Sequence, residues 1–312
     1  MNSVYDAQYR AVFVRPVSEV RVVRGVATIR AATLVPEERD WIAARTAETE
    51  PYAPLGDRGL LSRFLRLARQ PDAPSIQAWV SSRGWLGNPQ LFRPSGTDEL
   101  ITGEPLDWWQ FQLRAIHQVD QLWRAVMLSS DQSHRLSSGA LDKTAAVALL
   151  RHVIRWTDDG QAVYWQGDPD ERETAPFDEV GPFELIASLT PSVRPELLRQ
   201  FRRGDPIEPA RYMVHSTVNR ALQGQLSAAV TFVAGRPDMT RLKTLPNTLL
   251  GVIYLKFLDG LLEGRPTRQC ENPACPNGHE FPQTRRDQRF CCDRCRNHAF
   301  YLAQARRTRN EI

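Results

Sequence analysis

The chain has 312 residues, 42% of them hydrophobic, and a formal net charge of +4 at pH 7. This length and apolar content fit a globular protein with one large domain and a small second one. The longest strongly apolar stretch, residues 249–262, contains Lys256 and Asp259 and is shorter than the roughly 20 apolar residues that span a bilayer, so no membrane helix is predicted.

The first 32 residues have the β-branched, partly alternating pattern of strands. Strands are predicted over residues 9–14, 19–23 and 26–32, and Gly25 offers a turn between the last two. A small antiparallel sheet is therefore expected near the N-terminus.

From residue 36 onward the pattern predicts mainly helices. Pro36, Glu37 and Glu38 are typical of a first helical turn, so a helix is predicted to begin there and to include Trp41. Apolar spacings of three and four predict further helices at 57–68, 74–84, 104–128, 141–156, 183–189, 195–201, 207–222 and 246–262. Two more strands are predicted, at 161–165 and 225–233.

A domain boundary is predicted at Gly264 and Pro266, because glycine ends a helix readily and proline stops it from resuming. The expected fold class is α+β and mainly α-helical. Residues 1–264 form the large domain with its small β-sheet, and residues 265–312 form a treble-clef-like, four-cysteine zinc finger.

All five cysteines lie in one short segment, as Cys270-x4-Cys275 followed by Cys291-Cys292-x2-Cys295. Four thiolates around one Zn²⁺ complete a tetrahedron and leave no position for substrate, so the implied site is structural. A disulfide framework would spread its cysteines through the domain that it staples.

The proposed ligands are Cys270, Cys275, Cys291 and Cys295. Cys291 is preferred to Cys292 because Phe290 and the residues after it follow the common Phe/Tyr-Cys-Ser-x-x-Cys-Arg pattern, with Cys292 at the serine position. Cys292 would then be a spare thiol, and His279 is the other competitor for a fourth place.

The compartment expected for this chain is a reducing cytoplasm. Its polar start lacks the apolar core of a signal peptide, and clustered thiols suit a cytosolic metal site.

The positive charge of the chain is concentrated in its last 48 residues. Residues 265–312 contain ten arginines and five acidic residues, a net charge of +5, whereas the rest of the chain carries −1. Such a segment suits contact with a polyanion. The alternative is that the arginines neutralise the formal charge of −2 on a zinc ion with four thiolates.

A basic helix is predicted over residues 295–307, where Arg296, Asn297 or Gln304 could reach base edges in a major groove. Asn297 and His298 could equally hydrogen-bond the zinc sulfurs. The residues predicted to bind nucleic acid are Arg285, Arg286, Arg289, Arg294, Arg296, Arg306, Arg307 and Arg309.

The C-terminal segment resembles the CGNR zinc finger of bacterial proteins whose N-terminal part is an ABATE domain. The resemblance lies in Cys270-x4-Cys275, Phe281, Arg289-Phe290 and Cys291-x3-Cys295 before a basic helix, although the name-giving tetrad reads Cys295-Arg296-Asn297-His298. It implies a stress-induced transcription regulator that binds DNA through the finger. The N-terminal domain would then sense a small molecule, dimerise or dock a protein partner.

An enzyme is not expected. The sequence contains no glycine-rich phosphate loop, nucleophile elbow or His-Glu-x-x-His motif, and its histidines are scattered singly. Two alternatives to a DNA-binding regulator stay open. One is a zinc-stabilised protein-interaction module without a nucleic-acid role, and the other is an enzyme with an unrecognised site in the N-terminal domain.

Overall fold

The computed structural model describes residues 13–27, 38–45, 48–57, 59–129, 143–156, 158, 162–165, 183–185, 201–233, 236–263, 267–275, 280–282 and 288–310. The protein mixes helices and sheets, and its described residues fall into two compact units. The first unit draws on residues 1–117 and 221–263, and the second on residues 118–220, 264–275 and 279–312. The domain boundary predicted after residue 264 stays a prediction.

The strands are short and mostly paired with a neighbour in sequence. They are β1 (Phe13–Pro16), β2 (Val20–Ala27), β3 (Glu38–Ala44), β4 (Thr49–Tyr52), β5 (Gln90–Pro94), β6 (Ile101–Pro105), β7 (Ile154–Trp156), β8 (Ala162–Trp165), β9 (Phe183–Leu185), β10 (Leu226–Val233), β11 (Arg236–Pro246), β12 (Thr267–Gln269) and β13 (Glu280–Pro282).

The helices are α1 (Leu60–Arg69), α2 (Ala73–Arg83), α3 (Leu106–Ser129), α4 (Lys143–Val153), α5 (Ile207–Leu222), α6 (Leu249–Glu263) and α7 (Asp293–Asn310), and a short 3₁₀ turn covers Pro54–Gly56. None of the helices in the described part of the chain combines the length and the apolar character that crossing a membrane requires.

Four strands of the first unit close into a small antiparallel barrel in the order β2-β3-β6-β5. Its centre is a stacked pair, Trp41 on Phe92, with ring centroids 4.4 Å apart and both side chains almost fully buried. Gly25 lies inside β2, and a Cβ there would meet the Phe92 ring at 2.7 Å. The turn predicted at Gly25 is therefore wrong, because glycine at this position makes room for the aromatic stack.

The helix predicted from Pro36 is also wrong, because Glu38–Ala44 forms strand β3. The last four residues of this strand, 41–44, are all buried, and β3 pairs with β2 on one side and β6 on the other. The local signal of a proline and acidic residues is outweighed by the apolar area that the strand buries in the barrel.

Several other predicted elements are confirmed. The helix at 207–222 has the predicted bounds, and α1, α2 and α3 differ from prediction by one to three residues at each end. Asp72 caps the N-terminus of helix α2, and its carboxylate accepts a hydrogen bond from the backbone N–H of Ser75 at 2.8 Å. The strands at 162–165 and 226–233 are confirmed as well.

Three elements outside the barrel differ from the predicted ones. Residues 183–185 form strand β9 beside β8 rather than the start of a helix. The helix predicted over 141–156 ends at Val153, where β7 begins. The unpredicted strand β11 pairs with β10, so α6 begins at Leu249 instead of residue 246. The helix predicted at 195–201 and most of the strand at 9–14 lie outside the described residues.

Glu104 is a buried carboxylate at the end of β6, only 2% exposed. Its two oxygens accept hydrogen bonds from the backbone N–H groups of Leu86 at 3.1 Å and Gly87 at 2.6 Å. Burial raises the pKa of Glu104 to about 7, and these two hydrogen bonds limit the rise. The carboxyl group thus fixes the chain after α2 against the barrel.

Candidate metal centre

The sulfur atoms of Cys270, Cys275, Cys291 and Cys295 all lie within 4.8 Å of one another. The Sγ atom of Cys275 is 3.5 Å from that of Cys291 and 3.6 Å from that of Cys295, and the last two are 3.5 Å apart. The four predicted ligands are therefore brought together at one place in the second unit.

These distances fit a shared metal ion and not disulfides. A disulfide joins its sulfurs at about 2.05 Å, well below the observed separations. A tetrahedral ion with Zn–S bonds of about 2.3 Å separates its sulfurs by about 3.8 Å, close to what is found. The four cysteines could thus hold one metal ion.

Two short segments position these thiols. Cys270 follows β12, and Cys275 closes a turn in which its backbone N–H donates to the carbonyl of Asn272 at 3.1 Å. Cys291 precedes helix α7, and Cys295 lies in its first turn, where it is fully buried. A turn and a helix start thus supply two ligands each.

Apolar side chains shield the sulfur cluster. Phe281 is 5% exposed and belongs to the same buried cluster as three of the cysteines, and Phe290 packs against it. Two aromatic side chains thus cover the sulfur cluster. Excluding water around a metal site strengthens the attraction between cation and thiolates.

Asn272 is a buried polar residue that the sequence did not single out, only 1% exposed. Its side chain hydrogen-bonds to the sulfur of Cys295. Its Oδ1 accepts from the backbone N–H of Ala274 at 3.2 Å and lies 3.1 Å from Nδ1 of His298. His298 is therefore linked to the sulfur cluster by its contact with the Asn272 side chain. Asn297 is exposed on α7.

Cys292 lies beside the group of four. Its sulfur is 3.8 Å from that of Cys291, and its side chain is exposed. Partial burial raises the pKa of Cys292, but hydrogen bonds, chiefly from the backbone N–H of Cys295, outweigh it and bring the pKa below its usual value. The Cys292 sulfur thus accepts from backbone N–H groups in the first turn of α7, which have no partner within the helix. His279 lies outside the described residues.

A bound cation would change the protonation state of the sulfur cluster. Burial raises the pKa of Cys295 to about 11, and a hydrogen bond from Asn272 opposes this rise. A thiol in this position remains protonated at neutral pH unless a positive charge stabilises the thiolate. A bound dication supplies that charge, because coordination deprotonates a thiol outright.

Two of the three fully described candidate arginines already have acidic partners. Arg289 pairs with Glu271 through two of its nitrogens, and Arg296 lies 3.2 Å from the Asp293 carboxylate. Arg294 is exposed and makes no ion pair with any described residue.

The other five candidate arginines lie either near the end of helix α7 or outside the described residues. Arg306, Arg307 and Arg309 lie in the C-terminal part of helix α7. Arg285 and Arg286 lie outside the described residues.

Helix α7 is exposed around most of its circumference. From residue 294 to residue 304 only Cys295 is buried, and Ala299 and Leu302 are half-buried. Phe300 and Tyr301 are 60% and 67% exposed, with ring centroids 6.3 Å apart. Such a helix leaves several faces available to a partner.

The treble-clef prediction places a hairpin of residues 280–282 and 288–290 after the first pair of cysteines, and the structure differs from it. Glu280–Pro282 pairs with Thr267–Gln269 in an antiparallel ladder. Residues 288–290 form no strand, although the backbone N–H of Glu271 donates to the carbonyl of Arg289 at 3.1 Å. A treble clef stays a prediction, because the hairpin expected for it is not the one observed among the described residues.

No protein-family model matches the chain, and neither a curated protein nor a solved structure matches it. The resemblance to CGNR zinc fingers thus remains a prediction that rests on the motif residues themselves.

Proposed function

We propose that the four-cysteine cluster binds one structural zinc ion and that the protein is a DNA-binding transcriptional regulator. The observation that carries the proposal is the convergence of four sulfurs within 4.8 Å at the start of an exposed, arginine-bearing helix. Residues 1–264 would supply sensing, dimerisation or partner docking.

Zinc is the metal that this donor set favours. Four thiolates in a tetrahedral arrangement select Zn²⁺ or an iron–sulfur cluster, whereas calcium and magnesium require oxygen ligands. The set has no open position for substrate, which is the property of a structural site. A small segment of this kind gains its folding free energy largely from the metal.

The DNA-binding part rests on charge and exposure. The last 48 residues carry a net charge of +5, and α7 presents Arg294 and Arg296 to solvent. Arginines on an exposed helix can neutralise phosphates and so position the helix on a duplex. The resemblance to the CGNR finger agrees with this role.

A salt titration of duplex DNA binding tests the proposal. Labelled duplex is titrated with zinc-loaded protein between about 50 and 200 mM salt, a range over which several phosphate contacts change affinity by orders of magnitude. The proposal requires a steep loss of affinity as salt rises, and loss of binding when zinc is chelated. Binding that is absent, or that does not depend on salt, contradicts the DNA-binding role.

A protein-interaction module is the second candidate. It is favoured by the two exposed aromatic rings, Phe300 and Tyr301, and by the pairing of Arg289 and Arg296 with acidic residues of the same segment. In that case the metal still orders α7, but a duplex does not bind. The same titration thus separates the two candidates.

A further inference from the structure

Arg83 is a half-buried arginine of the first unit that has no carboxylate partner among the described residues. It ends helix α2, and its Nη1 donates to the hydroxyl of Ser82 at 2.7 Å. Its guanidinium carbon lies 4.9 Å from the centroid of the Trp79 ring. Its Nε is buried and meets no acceptor in the described part of the chain.

Two neighbouring arginines differ from Arg83 because each has a carboxylate. Arg15 lies 2.5 Å from Glu50, and Arg63 pairs with Asp57. Burial lowers the pKa of Arg83, and repulsion from Arg63 and Arg15 lowers it further, while Tyr52 and Asp57 act in the opposite direction. Arg83 is thus the one of these three arginines whose guanidinium no carboxylate of the described residues balances.

The hydroxyl of Tyr52 lies in the same polar cluster. It donates a hydrogen bond to Oδ2 of Asp57 at 3.0 Å. Lys256 also reaches this region and donates to the carbonyl of Leu55 at 3.1 Å. Lys256 thus adds a fourth cation near Asp57, and the carboxylates of this region are Asp57, Glu50 and Asp259.

The backbone fixes the position of Arg83. Gly84 has φ of +89°, and a Cβ there would lie 2.2 Å from the carbonyl oxygen of Val14. The end of α2 is therefore in direct contact with β1, and only glycine permits that approach. On the same side, Nη1 of Arg15 donates to the carbonyl of Ser82 at 3.1 Å. Arg15 and Arg83 thus both donate hydrogen bonds to Ser82.

We propose that Arg83, with Arg15 beside it, binds the oxyanion group of a small ligand, either a phosphate or a carboxylate. The planar guanidinium offers a fork of donors that matches both groups. An anion would supply the charged partner that Arg83 lacks among the described residues. This site belongs to the first unit and does not depend on the C-terminal metal or on DNA binding.

The first test uses the full-length chain with inorganic phosphate and with acetate. Each anion is titrated against chloride at matched ionic strength, with calorimetry and the unfolding temperature as readouts. A ligand that binds only the folded state raises the unfolding temperature in a saturable way. Preference for phosphate assigns a phosphorylated ligand, and preference for acetate assigns a carboxylate. Absence of saturable binding of both anions overturns the proposal.

Matched variants separate a binding role from a structural one. Arg83→Met keeps an unbranched side chain beside Trp79 and removes the guanidinium fork, and we expect at least about tenfold weaker anion binding, as for loss of a charged hydrogen-bonding partner. Arg66→Met changes an exposed arginine of α1 and should bind anions like the wild type. General stabilisation by phosphate acts on both variants alike. Equal binding by Arg83→Met and the wild type contradicts the site.

A second measurement needs no variant. Arginine modification by phenylglyoxal, mapped by mass spectrometry, follows the Arg83 guanidinium in the wild-type chain. Phosphate or acetate, whichever binds, should slow modification of Arg83 and leave that of Arg66 unchanged. Equal slowing at both residues, or at neither, overturns the assignment even if Arg83→Met fails to fold.

Discussion

Nδ1 of His298 lies 3.1 Å from Oδ1 of Asn272, although the two residues are 26 positions apart. The Asn272 side chain hydrogen-bonds in turn to the sulfur of Cys295. The first turn of α7 is thus tied to the turn between Cys270 and Cys275 by a side-chain contact as well as by the sulfur cluster. Groups in this position orient metal ligands and tune their affinity.

Loss of Asn272 should weaken metal binding. In Asn272→Ala the hydrogen bond to Cys295 is lost and His298 loses its partner, so we expect about a tenfold lower zinc affinity, measured by competition with a chromophoric chelator. Asn272→Asp keeps the acceptor for Ala274, removes the donor to sulfur and adds a negative charge beside the thiolates, so it should lower the zinc affinity as well. Asn297→Ala, at an exposed position, is the control. Equal affinities for all four proteins would show that Asn272 does not act on the metal.

The two adjacent cysteines should respond differently to substitution. Cys291→Ser removes a sulfur from the cluster of four and should reduce bound metal well below one ion per chain. Cys292→Ser changes the exposed neighbour and should retain one ion. Metal content by mass spectrometry after gel filtration gives the result. The ligand assignment is wrong if Cys292→Ser loses the ion and Cys291→Ser keeps it.

The metal ligands were predictable because their spacing is local. One pair of cysteines lies in a turn and the other at a helix start, and a thiolate cluster needs few distant contacts to be recognised. Asn272 was not predictable in the same way, since its role depends on Cys295 and His298 approaching from helix α7. Its position between the first two ligands was the available signal.

In the fold, too, elements set by local sequence were predicted and elements set by distant contacts were not. Helix α5 has the predicted bounds, because its apolar periodicity is a property of the segment itself. Strand β3 was predicted as a helix, because its burial depends on strands far away in sequence, β2 and β6. Tertiary pairing overrides local propensity in such segments. Gly25 follows the same rule, since the stack of Trp41 on Phe92 decides its place in β2.

Arg294 should contribute more to DNA affinity than Arg289. Arg294 has no ion-pair partner among the described residues, whereas Arg289 pairs with Glu271. If Arg294 contacts one phosphate, Arg294→Gln lowers the slope of log K against log salt by about 0.9. Arg289→Gln, a substitution of the same type, should change the slope less. Equal slopes for Arg294→Gln and the wild type would show that Arg294 does not contact phosphate.

Stability should fall as the pH rises between about 4.5 and 7 because of Glu104, whose pKa is raised to about 7 by burial. In this window the folded chain retains a proton that the unfolded chain has released. The stabilising contribution of the protonated Glu104 carboxyl is complete below the pKa that this group has in the unfolded chain. It is lost as the pH rises through the pKa of the same group in the folded chain. The effect amounts to about 3 kcal/mol at most.

Urea unfolding at the two ends of this pH window tests the prediction. Glu104→Gln should reduce the difference in unfolding free energy between the two ends, since an amide does not titrate there. Glu99→Gln, at an exposed position, should leave the difference unchanged. Comparison among the three proteins removes any pH dependence of the metal site. The same pH dependence in all three would contradict the role of Glu104.

X-ray absorption at the zinc edge, combined with metal content of the purified chain, tests the central proposal most directly. We expect one zinc ion per chain with four sulfur neighbours at about 2.3 Å. A chain that holds no stoichiometric zinc, or a first shell that contains nitrogen or oxygen in place of one of the four sulfurs, would contradict the account.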